Sequence, residues 1–152
     1  MGATWPLIVN RLVTWLPTLP GWGDVAVYDG HPVTADISAD YLTVGYTTAD
    51  DQGGVFTQTR NPDGSGMDES GDVRCHLACQ SGDGDLATVR ARAFALTDAF
   101  DAGLRADQTL GGLLSRNAEV LLSVDVLSVQ NVQGAAQSLL FTVRYWNTGY
   151  LF

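Results

Sequence analysis

The chain has 152 residues, 45% of them hydrophobic, and a formal net charge of −9, which suits one ordinary domain built around a single core. Its eight basic residues are all arginines scattered along the chain, so no basic stripe can track a phosphate backbone, and the acidic surface should repel nucleic acid. No uncharged run approaches the roughly 20 residues of a membrane-spanning helix and the N-terminus lacks the pattern of a secretory signal, so we expect a soluble protein that does not enter a membrane.

The first 46 residues predict one helix and two short strands. Apolar residues at helical spacing, with a proline whose missing N–H suits a first helical turn, predict a helix from about Pro6 to Leu16. Val25 to Tyr28 is typical of a strand. The Asp29-Gly30 pair closes it, because glycine can take the positive φ that a tight turn demands. A second strand is predicted from Tyr41 to Tyr46.

Residues 48–68 lack any regular pattern and are rich in Asp, Gly, Asn and Gln. The stretch from Asn61 to Gly66 has the composition of a mobile loop tip. Loops of this length are usually functional or disordered, so we expect a long flexible loop at about 48–68 that orders only against a binding partner or a neighbouring subunit. Phe56 and Arg60 within it are candidate residues for a subunit or partner interface.

The alternation over residues 73–79 predicts a strand with one buried side. Four apolar side chains share that side: Val73, Cys75, Leu77 and Cys79. Thiols four residues apart in a strand are separated by roughly 13 Å, too far for a disulfide. A zinc site would need the two histidines of the chain, and nothing in the sequence brings His31 near. We therefore interpret the cysteines as buried, reduced core residues.

A helix and a tight turn follow. Asp83 or Asp85 can cap the start of a helix, and apolar residues at helical spacing continue it to about Leu104. The stretch D-x-T-L-G-G comes next. Leu110-Gly111-Gly112 should let the chain reverse closely, with at least one glycine in a conformation closed to residues that carry a Cβ.

The last third of the chain predicts a long hairpin. Apolar residues alternate from Val120 to Val126 and from Leu139 to Tyr145, with a turn near Gln133-Gly134 between them. The order of elements predicts an α+β fold, with a mostly antiparallel sheet, a long C-terminal β-hairpin and two helices packed on one face. No repeat or linker divides the chain, so we expect one domain over 1–152.

The outward side of the last strand is a candidate interface. If Tyr145 is buried, its neighbours Arg144 and Trp146 face the other way, and an exposed Trp beside an Arg is typical of protein interfaces. A second buried layer, or a helix lying over that side, is the alternative. Tyr150 and Phe152 at the C-terminus favour the interface, because apolar termini left in water are a liability.

No motif for catalysis is present in the sequence. It has no G-x-S-x-G elbow, P-loop or G-x-G-x-x-G stretch, and its aspartate-rich turns lack the spacing and the distal glutamate of a calcium loop. We expect no catalytic, cofactor-binding or metal site, and therefore no enzyme.

Three short stretches resemble, in order, the small tail terminator proteins of long-tailed bacteriophages, especially those infecting actinobacteria. They are V-Y-D-G-x-P-V from Val27, V-R-C-H-L-A-C from Val73 and D-x-T-L-G-G from Asp107. An Ala- and Arg-rich helix precedes the third stretch and a two-stranded hairpin follows it. The resemblance covers most of the chain, including the N-terminal helix, but not residues 48–68.

The resemblance implies a structural virion protein at the head-proximal end of the tail, present in the host cytoplasm during assembly. Such proteins form a ring, usually a hexamer, that caps the tail tube protein, stops its polymerisation and offers a surface to the neck. DNA passes through the lumen without specific binding. A head closure or head-tail connector protein is the alternative in the same biology. A small soluble ligand-binding α+β domain is the alternative from another class.

Overall fold

The structure, a computed structural model, describes residues 3–30, 40–45, 53–60, 62, 66–81, 85–115, 119–131 and 134–150; for 127–131 and 148–150 it describes the backbone alone. The elements in chain order are α1 (Trp5–Trp15), a 3₁₀ helix (Leu16–Thr18), β1 (Ala26–Asp29), β2 (Asp40–Val44), β3 (Gly54–Arg60), β4 (Gly66–Ser81), α2 (Leu86–Ala106), β5 (Glu119–Asn131) and β6 (Gly134–Tyr150). Within these ranges, no helix is both long enough and apolar enough to cross a membrane.

The six strands form one sheet in the order β1-β2-β4-β6-β5, with β3 also paired to β4. β1 and β2 are parallel, and the other pairings among the described strands are antiparallel. The α+β class, the mostly antiparallel sheet and the long C-terminal hairpin are therefore confirmed.

Strand β4 is long enough for two strands to pair in succession along one of its edges. β3 pairs with residues 67–73 and β2 with residues 75–79. The two strands meet at Arg74, whose N–H donates to the Gly53 carbonyl (2.9 Å) and whose carbonyl accepts from the Gly45 N–H (2.8 Å). β2 and β3 thus run in line along one edge of β4, and β6 follows the whole of the other edge.

The hydrophobic core lies between the sheet and the two helices, on what we term the core face. Alternate residues of β4 and β6 point to it and are buried: Val73, Cys75, Leu77, Cys79, Leu139, Phe141, Val143 and Tyr145. Phe100 of α2 packs edge-on against Phe141, with 5.5 Å between ring centroids. Trp15 and Trp22 pack on the same Phe100 ring at 6.0 Å each. Aromatic contacts therefore join the end of α1 and the segment after the 3₁₀ helix to α2 and, through Phe141, to the sheet.

The two helices and the first two strands agree with the predicted bounds to within two residues, whereas β4, β5 and β6 extend up to seven residues beyond the predicted alternation. α1 begins one residue before the predicted start and passes into a 3₁₀ helix at Leu16. α2 is capped by Asp85, which accepts hydrogen bonds from the Thr88 N–H (3.2 Å) and hydroxyl (2.6 Å). Asp83, the other candidate cap, and Tyr46, the predicted end of the second strand, lie outside the described residues.

The prediction of a long loop at about 48–68 is wrong for much of this segment. Residues 54–60 form β3, and β4 begins at Gly66, so this segment contains an antiparallel hairpin. Residues 55–60 are all exposed. Because β3 buries neither of its sides, it lacks the apolar alternation by which a strand is recognised in a sequence. Residues 48–52, 61 and 63–65 lie outside the described part of the chain.

Candidate subunit interface

The predicted interface residues lie at one end of the sheet. This β3 end consists of β3, residues 66–72 of β4, residues 144–150 of β6 and residues 119–121 of β5, which pair side by side in that order. Phe56 and Arg60 lie on β3, and Arg144 and Trp146 on β6. Tyr150 pairs with Gly66 at the extremity, where only its backbone is described. Phe152 lies outside the described residues.

The structure divides these side chains between the two faces of the sheet. Partners across antiparallel strands share a face, and Phe56 is aligned through Gly71 with the buried Tyr145. Phe56 and, four residues on, Arg60 therefore belong to the core face. Arg144 and Trp146 flank Tyr145 and point to the opposite face, which we call the open face. The outward direction predicted for these two residues is confirmed.

Three large apolar side chains are exposed on the open face at the β3 end: Val55 (48%), Leu121 (59%) and Trp146 (41%). Val55, Asp72, Arg144 and Leu121 form one row across β3, β4, β6 and β5. In the middle of this row the Arg144 Nε lies 3.0 Å from an Asp72 oxygen. Neither helix covers Trp146 within the described residues. The row thus carries an ion pair at its centre and an exposed apolar side chain at each edge.

Further along the sheet the open face has buried side chains. His76 is 6% exposed, and Thr43 and Ala78 are also buried. The ring of Tyr41 packs edge-on against His76, with 5.9 Å between centroids. Burial lowers the pKa of His76, so this imidazole is neutral near pH 7, and its Nδ1 has no hydrogen-bond partner among the described residues. Among the side chains that the structure describes, the large exposed apolar residues of the open face therefore lie at the β3 end.

A buried carboxylate fixes the β3 end from the core side. Glu69, which is 3% exposed, accepts hydrogen bonds from the Thr4 N–H (3.0 Å) and the Tyr145 hydroxyl (2.6 Å). It also accepts from the Gln58 amide (2.7 Å). Burial, and then the hydrogen bond to Glu69, raise the pKa of Tyr145, so the hydroxyl keeps the proton that it donates. One side chain thereby joins β3, β4 and β6 to the start of α1.

The first residue of α1 also holds the β3 end. The Trp5 indole N–H donates to the Asp72 carbonyl at 2.8 Å. A Cβ at Gly54 would lie 2.8 Å from the same indole nitrogen, and a Cβ at Gly71 would lie 2.8 Å from the Cβ of Phe56. Side chains at these two glycines would therefore displace the ring or separate β3 from β4.

Sequence patterns did not identify several residues of this site. Val55 and Leu121 were missed, although each stands beside another apolar residue in Val55-Phe56 and in Val120-Leu121-Leu122. Adjacent apolar residues in a strand point to both of its faces, and that was the available signal. No local sequence pattern identifies Glu69, because its hydrogen-bond partners lie 11 to 76 positions away in the chain.

The predicted structural turn after α2 is confirmed. Leu110, Gly111 and Gly112 have successive positive φ values of 51°, 73° and 87°. An Asp107 oxygen accepts from the Gly111 N–H (2.7 Å), and the Thr109 hydroxyl donates to the other Asp107 oxygen (2.8 Å). The Thr109 hydroxyl also accepts from the Gly112 N–H (3.1 Å). The D-x-T-L-G-G stretch therefore supplies its own hydrogen-bond acceptors for a left-handed turn.

Two contacts hold the predicted turns against the fold. The Arg11 guanidinium of α1 donates to the Leu110 carbonyl at 2.8 Å. Gly30 has a φ of 78°, and its N–H donates to the Val44 carbonyl at 2.8 Å, directly after Asp29 ends β1. These contacts are within the fold, which indicates a structural role for both turns.

Both cysteines are free and buried, as predicted. Burial raises the pKa of Cys75 and of Cys79 to about 12, so both thiols stay protonated near pH 7. In the part of the chain that the structure describes, no three His, Cys, Asp or Glu side chains group as metal ligands. His31, considered as a zinc ligand, lies outside that part.

Comparison with known proteins gives no family assignment. No protein-family model matches the chain, and no curated protein matches it. A functional proposal therefore depends on the geometry of the β3 end and on the resemblance of the three short sequence stretches.

Proposed function

We propose that the protein is a tail terminator of a long-tailed bacteriophage. Copies of the chain assemble into a ring on the end of the tail tube, stop its polymerisation and offer a surface to the neck of the filled head. This function requires self-association and docking to other virion proteins, and it requires no chemical reaction.

The observation that carries this proposal is the exposed apolar surface at the β3 end. Val55, Leu121 and Trp146 stand on a sheet face from which the helices are absent among the described residues. Exposed Trp and aliphatic side chains around an Arg have the composition of a contact surface. In a monomer they would leave apolar area in water.

The support beneath this surface favours an interface that forms without rearrangement. The hydrogen bonds from Thr4, Gln58 and Tyr145 to Glu69 hold three strands in place. A contact surface that is already ordered loses little conformational entropy on binding. Rigid components suit a ring in which many copies must meet at the same angle.

The acidic balance supports the same function. A net charge of −9 per subunit gives a ring that repels phosphate, so DNA can slide through the lumen without adhering to the wall. Acidity alone fits many proteins, and it supports the proposal together with the resemblance and the contact surface.

Two measurements test the proposal. Sedimentation or native mass spectrometry should show a closed ring of 16.2 kDa subunits. Added to polymerising tube protein of the same phage, the ring should limit tube length in proportion to its concentration. A ring that binds heads and leaves tube length unchanged would favour a connector, and a stable monomer that binds a small molecule would favour a ligand-binding domain.

A further inference from the structure

We propose that the free edge of β5 pairs antiparallel with β5 of a second copy of this chain, about a two-fold axis that passes between the two Val124 residues. The axis is perpendicular to the sheet, so the two sheets continue into one another with both core faces on the same side. This inference goes beyond the proposed function. It uses the backbone edge of β5 and does not depend on the ring.

The edge of β5 presents unpaired backbone groups. Among the described residues β5 pairs only with β6. Arg74 directs its N–H to Gly53 and its carbonyl to Gly45, away from β6. Because backbone groups alternate along antiparallel strands, Val73 and its partner Val143 face each other. The same alternation, followed across β6, turns the odd-numbered residues of β5 toward β6 and the even-numbered residues toward the free edge.

This edge lacks the usual protection against pairing. Its 13 residues include no proline and no basic residue, and Glu119 and Asp125 are its only charges. Its register with β6 is continuous, so it has no bulge. Monomeric proteins normally protect a long edge strand with proline, lysine, a bulge or a covering element. The composition of β5 therefore favours pairing with another strand.

Two large apolar side chains are exposed beside this edge, on the side of the core face. They are Val126 of β5 (50%) and Phe94 of α2 (37%). The Arg92 guanidinium donates to an Asp40 oxygen of β2 (2.8 Å), so this flank of α2 faces β2. At 3.6 residues per turn, Phe94 lies across the buried stripe of α2 from Arg92. Its flank therefore faces the opposite end of the strand order, where β5 lies.

Phe94 also stands level with the middle of β5. Phe100 packs on the β6 ring that pairs with Val124. Arg92 donates to the Gln80 carbonyl (3.0 Å), at a level nearer the end of β5. Phe94 is between the two along α2 and is therefore level with the part of β5 just after Val124. A second copy on this edge would cover apolar surface from both elements.

Charge selects the register of the pairing. An axis at Val124 sets even-numbered residues opposite even-numbered residues, as the backbone groups require. On the core face Val124 then meets its own copy, and Leu122 meets Val126. On the open face Asp125 meets the uncharged Ser123. Moving the axis to Asp125 would set two carboxylates opposite each other, which is unfavourable, and moving it to Ser123 would set each carboxylate opposite an apolar side chain.

The contact is compatible with a ring. A two-fold contact joins two copies and ends there, whereas a ring needs contacts between two different surfaces. The open face at the β3 end remains uncovered, because the paired sheets continue in one layer. In a ring-forming protein the β5 contact therefore joins two rings, and in a protein without a ring it joins two monomers. Breaking it should halve the mass of the assembly in either case.

A pair of introduced cysteines tests the register. Ser123 and Asp125 are exposed, and in the proposed pairing they form non-hydrogen-bonded pairs with Cα atoms about 4.5 Å apart, which is within disulfide reach. The Ser123→Cys and Asp125→Cys double variant should give a covalent dimer on a non-reducing gel after mild oxidation. Each single variant is a control and should stay uncross-linked, because its thiol meets a serine or an aspartate. The native Cys75 and Cys79 are buried.

Two results of this experiment would contradict the inference. Cross-linking of the double variant no faster than that of the single variants would overturn the pairing. Efficient cross-linking of either single variant would place the axis at that residue and overturn the register about Val124.

A matched pair of variants tests the backbone contact. Val126→Pro removes an N–H that faces the free edge, where edge strands tolerate proline, and Val126→Ala loses the same side chain and keeps the N–H. Because the two-fold axis doubles the loss, we expect sedimentation to show association weakened by roughly tenfold or more in Val126→Pro relative to Val126→Ala. Their circular dichroism spectra should be equal. Equal association of the two variants would also overturn the pairing.

The outcomes separate this inference from the proposed function. A protein that cross-links as expected but never limits tube length retains the pairing and overturns the terminator proposal. A ring that limits tube length but neither cross-links nor responds to Val126→Pro overturns the pairing and leaves the terminator proposal standing. A wild-type protein that stays monomeric at high concentration overturns the pairing directly.

Discussion

Single residues show how closely local chemistry fixes the turn after α2. Asp107 and Thr109 accept hydrogen bonds from the amides of Gly111 and Gly112, and Leu110 itself takes a φ of 51° while being buried. A non-glycine residue at positive φ is uncommon. Here the burial of the Leu110 side chain and the hydrogen bond from Arg11 offset the backbone cost.

The two glycines of this turn should differ in their tolerance of a side chain. Both have positive φ, so Gly112→Ala should lower the free energy of unfolding by about 1 kcal/mol. Gly111→Ala should cost more, because its Cβ would also meet the Arg11 guanidinium, whereas Gly112 faces open space. Urea unfolding measures both values. Equal losses would show that the contact with Arg11 does not matter.

The same turn should weaken in acid. The hydroxyl of Thr109, and then the amide of Gly111, hold the pKa of Asp107 below its usual 3.8. A depressed pKa stabilises the folded state above the unfolded pKa, and this stabilisation is lost as the pH falls through the folded value. The cost of Asp107→Asn in thermal unfolding should therefore be larger at pH 7 than at about pH 3. The same cost at both pH values would contradict this account.

Elements whose sequences encode a buried side could be predicted, and β3 could not. α2, the centre of β4 and both strands of the C-terminal hairpin bury alternate or helically spaced residues. β3 has no buried side, so its only sequence signal was the Pro62-Asp63-Gly64 stretch, which is typical of a turn and was interpreted as a mobile loop tip. The arrangement of β2 and β3 along one edge of β4 depends on contacts between distant residues, which local patterns do not contain.

The candidate site was partly predictable for the same reason. Alternation with the buried Tyr145 placed Arg144 and Trp146 correctly, because a two-residue period fixes which side of a strand each residue occupies. Their neighbours on the open face, Val55 and Leu121, come from other strands. Their position in one row follows from the register of four strands, and register is a property of the whole sheet.

The junction of β3, β4, β6 and α1 should depend on the Glu69 carboxylate. Glu69→Ala leaves the buried Thr4 N–H and Tyr145 hydroxyl without their acceptor and should lower the free energy of unfolding by about 3 kcal/mol. Tyr145→Phe removes one bond to the charged group and should cost about 1.5–3 kcal/mol. Gln58→Ala, at the exposed partner, is the control and should cost less than either. Urea unfolding that ranks Gln58→Ala as the most harmful variant would contradict this role of Glu69.

At the scale of the whole molecule, charge opposes the association that the exposed apolar side chains favour. Every copy carries −9, so neighbours in a ring repel one another. The exposed apolar side chains at the β3 end, among them Val55, Phe56 and Trp146, can associate without an ion pair between copies. Net repulsion between subunits should therefore be the main term that responds to salt.

Salt should accordingly strengthen the ring. The Debye length falls from about 30 Å at 0.01 M to about 10 Å at 0.1 M and about 3 Å at 1 M ionic strength, so repulsion between copies is screened while the apolar contact is retained. Sedimentation across this range should show the dissociation concentration of the wild-type ring falling as sodium chloride rises. A wild-type ring that dissociates as salt rises would mean that ion pairs between copies hold it, and that the contact is not the apolar surface at the β3 end.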